Sequence, residues 1–133
     1  MKKTMKCMLA LAFAMTMLFS LVANAARPES EIVPLYNFID DTDCSIDING
    51  TRADLSAFVS AVNVDKCQIK MTLQMYDGSA WDDVTSWTDV EYSDNMRTDH
   101  SYSIDPDESY RVKVTFKVWN GSSTETVTKT ATP

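Results

Sequence analysis

The one histidine of the chain, His100, is the natural starting point for any catalytic reading. A nucleophilic site needs a hydroxyl or thiol beside a base, and a third group to orient that base. Thr98 and Tyr102 share the phase of His100 along an extended run, whereas Ser101 and Ser103 fall on the opposite side. No G-x-S-x-G elbow is present, so His100 reads as a surface or edge-strand histidine. Carboxylates cluster at Asp40, Asp41 and Asp43, at Asp82 and Asp83, and at Asp105, Asp107 and Glu108. Glycoside hydrolysis needs two carboxylates facing across a cleft, and clusters in turns are ordinarily solvated. The sequence therefore predicts no catalytic residues and no enzyme.

Metal chemistry finds equally little. Asp47, Asn49 and Gly50 imitate part of a calcium loop. With Gly50 at the sixth position, however, Ser45 and Ser56 would occupy the first and twelfth, where carboxylates are required. Asp40, Asp41 and Asp43 stand as weak candidates for loose calcium binding. One histidine and a cysteine pair do not compose a zinc site. No cofactor is expected.

Binding chemistry is carried by tryptophan. Trp119 is out of phase with the apolar set of its run, which puts it on an outer face or at a turn. Trp81 and Trp87 flank a run of ambiguous phase and are expected mainly to cap the core. All three are ligand-binding candidates, since exposed tryptophans on sandwich modules can stack sugars. Asn49-Gly50-Thr51 and Asn120-Gly121-Ser122 match the glycosylation sequon but read as turns.

These residues sit in a chain that looks exported. Lys2, Lys3 and Lys6 precede a 20-residue uncharged run, Cys7 to Ala26, that contains Ala23-Asn24-Ala25. A positive head, an apolar middle and a small-residue cut site define a secretory signal, here 1–25. Residues 26–33 read as a flexible arm and 34–133 as one domain. Cleavage removes three of the 12 basic residues and none of the 19 acidic ones, so the mature charge is 9 minus 19, or −10. That balance disfavours nucleic acid and anionic membrane surfaces and suits a monomer, secreted or held at the cell envelope, with no stable membrane insertion. Its partner is then an unidentified ligand, a glycan or a protein. Self-association into a surface or matrix component is the alternative, through exposed sheet edges. The mature chain keeps Cys44 and Cys67, and an even pair in an exported domain predicts a disulfide. Closing that 23-residue loop would contribute about 3 kcal/mol.

Period-2 alternation gives the elements that must position these groups. It is cleanest over 67–75 and 110–118, clear over 44–48 and 53–59, and weaker over 84–92, 97–104 and 123–130. Residues 53–62 also tolerate a helix, because alanine and leucine favour it. Each of the three glycines follows Asn or Asp (49–50, 77–78 and 120–121), as tight hairpins require. About seven short strands predict an all-β, antiparallel β-sandwich of the immunoglobulin or fibronectin type III kind, with a barrel as the alternative. Both cysteines would then lie near one pole on inward faces.

The set Ile69-Lys70-Met71-Thr72-Leu73-Gln74, Trp81, Val84, Ser86-Trp87, Tyr110-Arg111-Val112-Lys113-Val114, Trp119-Asn120-Gly121 and Glu125-Thr126 resembles a family of small secreted proteins from Gram-positive, often gut-dwelling, bacteria. The resemblance spans roughly 35–130. It implies an immunoglobulin- or fibronectin-like sandwich of unknown function and supplies no catalytic residues. Glu108-Ser109 replaces the glycine that many relatives have before the Tyr-Arg-Val-Lys run.

Overall fold

Seven strands account for nearly all of the regular structure in the computed structural model, which describes residues 36–133. The expected signal peptide and arm lie outside the described residues. The strands are β1 (Ile39–Asn49), β2 (Arg52–Ala61), β3 (Lys66–Tyr76), β4 (Trp81–Glu91), β5 (Asn95–Ser103), β6 (Tyr110–Asn120) and β7 (Ser123–Ala131). Every run predicted from alternation is a strand, including 53–59, where β-branched and aromatic neighbours override the helical tendency of alanine and leucine. All pairings are antiparallel.

The strands form two sheets, in the orders β1-β2-β5 and β4-β3-β6-β7. The fold is thus a sandwich of the immunoglobulin/fibronectin type III kind. Its fourth strand pairs with the third, whereas in the constant immunoglobulin pattern it joins the sheet of the first two. The inward residues of both sheets meet in one core: Leu55 and Val59 from the three-stranded sheet, and Ile69, Met71, Leu73, Val112, Val114 and Phe116 from the other, all essentially inaccessible to water. Such alternation buries one face of each strand and leaves the other to solvent.

The hairpins differ in detail from the expected Asn-Gly turns. Asn49 pairs with Arg52, and Asn120 with Ser123, so each asparagine closes its ladder and the loop residues are Gly-Thr and Gly-Ser. Only the first loop residue has positive φ (Gly50 +60°, Gly121 +55°), the pattern of a II′ turn. At 77–80 the side chain of Asp77 organises the connection, its Oδ1 accepting from the backbone N–H of Ser79 (2.8 Å) and of Ala80 (2.7 Å).

The predicted disulfide is corrected by the topology. Cys44 and Cys67 are both free thiols. The chain does not turn back beside β2 after Ala61; β3 crosses to the opposite sheet, where it pairs with β4 and β6. No Cα of β1 lies within 8 Å of a Cα of β3. A disulfide needs Cα atoms about 4.4–6.8 Å apart. Cys67 sits fully buried at one pole and donates to the Ser93 carbonyl (3.2 Å). Cys44 lies opposite Ala57, five positions into β1.

Candidate functional site

The four strand edges meet in pairs, and side chains stitch each seam. At one seam, β7 grips the start of β1. The Glu125 carboxylate accepts the backbone N–H groups of Asn37, Phe38 (2.9 Å) and Ile39 (2.9 Å), and the Lys129 ammonium donates to the Thr42 carbonyl. Loss of water around Glu125 pushes its pKa upward. The three backbone donors outweigh that and hold its pKa below the ordinary value.

At the other seam, β4 faces β5. The inward phase of β4 is set by Met71 opposite Trp87 and Ile69 opposite Asp89. His100, Thr98 and Tyr102 share one phase of β5, as the sequence predicted, and that phase faces inward, opposite Leu55, Ala57 and Ala53. The Trp87 and His100 rings stack at 4.7 Å and 6°, Tyr102 meets Trp87 edge-on at 6.2 Å, and Asp89 Oδ2 takes His100 Nε2 (2.6 Å) and the Thr98 hydroxyl (2.8 Å).

This cluster has the members of a triad without its wiring. A catalytic histidine uses one ring nitrogen for the hydroxyl and the other for the carboxylate. Here Thr98 (3.3 Å) and Asp89 both approach Nε2, and Thr98 donates to the carboxylate. No proton path from hydroxyl to base is set up. The geometry is that of a polar rivet between sheets, with Trp87 packed against the core as expected.

Trp81 departs from expectation. It does not cap the core but stands at one end of the outer face of the four-stranded sheet, 5.2 Å from Tyr76, with the Arg111 guanidinium 4.4 Å from its ring centre. Trp119 stands at the far end of the same face, half-buried, with Lys66 Nζ 4.0 Å and Lys117 Nζ 5.0 Å from its centroid. The β3 span from Lys66 to Tyr76 puts the two tryptophans about 33 Å apart along the sheet. A cation lies over each of the two rings. Attraction to the ring face holds Arg111 at Trp81, and Lys66 and Lys117 at Trp119.

The charge pattern of that face is the main finding. Of the chain's 12 Lys and Arg, four (Lys2, Lys3, Lys6 and Arg27) precede the described residues, leaving eight. Five of those eight, Lys66, Lys70, Arg111, Lys113 and Lys117, occupy the outward phase of β3 and β6. Asp83 is the one strand acid in the outward phase of this sheet, and Gln74 bridges it to Arg111 (2.7 Å on each side). Among the described residues, none of the five cations forms an ion pair. The rest of the face is Gln68, Thr72 and Thr115, then Ser86, Thr88 and Val90 of β4 and the outward threonines of β7.

The outer face of the three-stranded sheet is the reverse. Asp41, Asp43, Asp47, Asp54 and Asp99 share the outward phase with Arg52 and Arg97 only. Arg52 is spent on Asp54 (2.8 Å), and Arg97 lies over Phe58. The pKa of Asp54 is lowered, first by the Ser101 hydroxyl and then by Arg52. The calcium candidates Asp40, Asp41 and Asp43 are not brought together. A register shift between Ile39 and Asp41 and the alternation of β1 spread them along an edge, and among the described residues no three acids, cysteines or histidines are grouped to hold a metal.

Polar outward positions are common, and alternation within single strands does not group these charges by face. The signal that finds the two faces is the sign of charge taken per strand phase, once the strands are assigned to sheets.

The fold and these faces define a fibronectin-like sandwich with one basic and one acidic side. No family model matches the chain, and no curated protein does. Among solved structures it is similar to CsgH of R. palustris, determined in solution (13% identity, TM-score 0.38), covering 68% of this chain and 89% of that one. It is also similar to the E. coli curli protein CsgC (17% identity, TM-score 0.39), covering 67% and 94% respectively.

Proposed function

We propose that the chain is a secreted, non-enzymatic β-sandwich domain that works by binding at or outside the cell envelope, and that its binding face is the outer side of β4-β3-β6-β7. The observation that carries this reading is the collection of five unpaired cations on one face of a domain whose 8 basic and 17 acidic described residues leave it at −9. Like charges on neighbouring strands repel and cost stability. Lys70 is diagonal to both Lys113 and Lys117, so the fold gains nothing from this arrangement. An anionic partner would. It would be drawn to the one basic face by a field that the rest of the surface repels. The ring-held cations at the two ends fix where such a partner is read.

The test is retention on a sulfonate cation exchanger at neutral pH and low salt. A protein of net charge −9 without a receptive face flows through. Wild type is expected to be retained and to elute with salt, and Lys113→Glu/Lys117→Glu to flow through. Wild-type protein in the flow-through would remove the basis for this face.

A further inference from the structure

We infer that the anionic partner of the basic face is the acidic face of a second copy of this chain, so that copies stack sheet on sheet, outer face to outer face. This rests on the binding face proposed above and names its occupant. Strand residues give the outer side of β4-β3-β6-β7 five cations against one acid, and the outer side of β1-β2-β5 five acids against two cations. Both cations of the acidic side are engaged there, Arg52 with Asp54 and Arg97 over Phe58. Asp47 stands directly opposite Asp54, a like-charge pair that costs stability, and Arg52 forms its ion pair with Asp54 alone. The two surfaces are of similar length, with serines and aspartates prominent on one and threonines and lysines on the other.

The contact joins different faces of the two copies, so it does not close on itself. Each pair leaves one free face of each sign, and growth is open-ended. Magnitude sets the regime. Three to four strands at ~4.8 Å spacing and ~33 Å length bury roughly 1,000 Å² in total, at the bottom of the range for specific interfaces. Charge supplies most of the attraction, so association is weak, transient and abolished by salt.

Sedimentation velocity on the purified protein tests this, across protein concentration at about 20 mM and about 0.5 M salt, where screening lengths are ~20 Å and ~4 Å. The average mass is expected to at least double with concentration at low salt and to return to monomer at high salt. Lys113→Glu/Lys117→Glu takes the basic face from +4 to zero, and Asp47→Lys/Asp99→Lys takes the acidic face from −3 to +1, so neither variant keeps two faces of opposite sign and each should stay monomeric. Mixed in equal amounts, they should associate with each other. Asp47 and Asp99 are exposed and carry no ion pair among the described residues, so their replacement leaves the fold intact. Wild type monomeric at both salts yet retained on the exchanger overturns the second copy and leaves the binding face standing. Monomeric and unretained protein removes both. Association that survives high salt, or that persists in either variant alone, overturns charge-driven stacking.

Discussion

Asp89 carries more of the β4–β5 seam than its exposed position implies. Its pKa is held below the ordinary 3.8, first by the hydrogen bond from His100, against partial burial and with help from Thr98. A carboxylate with a depressed folded value stabilises the fold fully above its unfolded pKa, and that contribution disappears as pH falls through the folded value. The loss therefore belongs below about pH 4, not in the neutral range. The carboxylate is 36% exposed, and solvent screening limits the effect to about 1 kcal/mol. Asp89→Asn should accordingly lower the urea midpoint at pH 6 by an amount that shrinks towards zero by pH 2.5. Equal midpoint differences at both pH values would show that the carboxylate's charge is irrelevant to the seam. Because Thr98 and Asp89 share one imidazole nitrogen, the same substitution has no catalytic meaning to test.

Between elements, the corresponding device is the Glu125 clamp. It satisfies three backbone donors at the start of β1 from a strand in the other sheet. It also covers an edge that could otherwise pair with another chain. Glu125→Gln leaves one acceptor oxygen for three N–H groups and removes the charge, which should cost about 1–2 kcal/mol. Urea unfolding should show a lower midpoint with unchanged slope, and amide exchange at 37–39 should accelerate. Glu91→Gln, exposed at the far edge, should stay within about 0.5 kcal/mol of wild type. Neither seam was legible in the sequence. Glu125 contacts residues 86–88 positions away, and Asp89 meets His100 between strands that do not pair. The strands themselves were legible, because apolar residues in step over 67–75 and 110–118 leave one face to bury. Trp119 was placed outward by its phase alone. Trp81 was not, because β4 is an edge strand whose inward phase holds Thr85 and Asp89 beside Trp87, and the register shift at Leu73/Gln74 leaves Val84 without a partner in the ladder. Those features mask its alternation.

For the molecule as a whole, what joins the two sheets is burial rather than a covalent bond. The core runs continuously from Ile39 to Val127 through both sheets, and both poles are closed by short connections. The expected disulfide failed because alternation fixes which way a cysteine points but not its level: Cys67 stands at the start of β3, and Cys44 five positions into β1. Both thiols have their pKa raised, chiefly by burial, so thiolate is scarce at neutral pH and reaction with disulfide reagents is slow in the folded state. Cys67 has no exposed surface and Cys44 is half-covered by the core packing around it. A thiol-specific chromophore should therefore label native protein slowly, Cys44 before Cys67, and label both at once in denaturant. Reductant should leave the thermal midpoint unchanged. A cross-link over the 23-residue interval would behave oppositely, with no thiol found on unfolding and about 3 kcal/mol lost on reduction. That outcome would put Cys44 and Cys67 within bonding distance and overturn the level at which β1 and β3 face each other across the core.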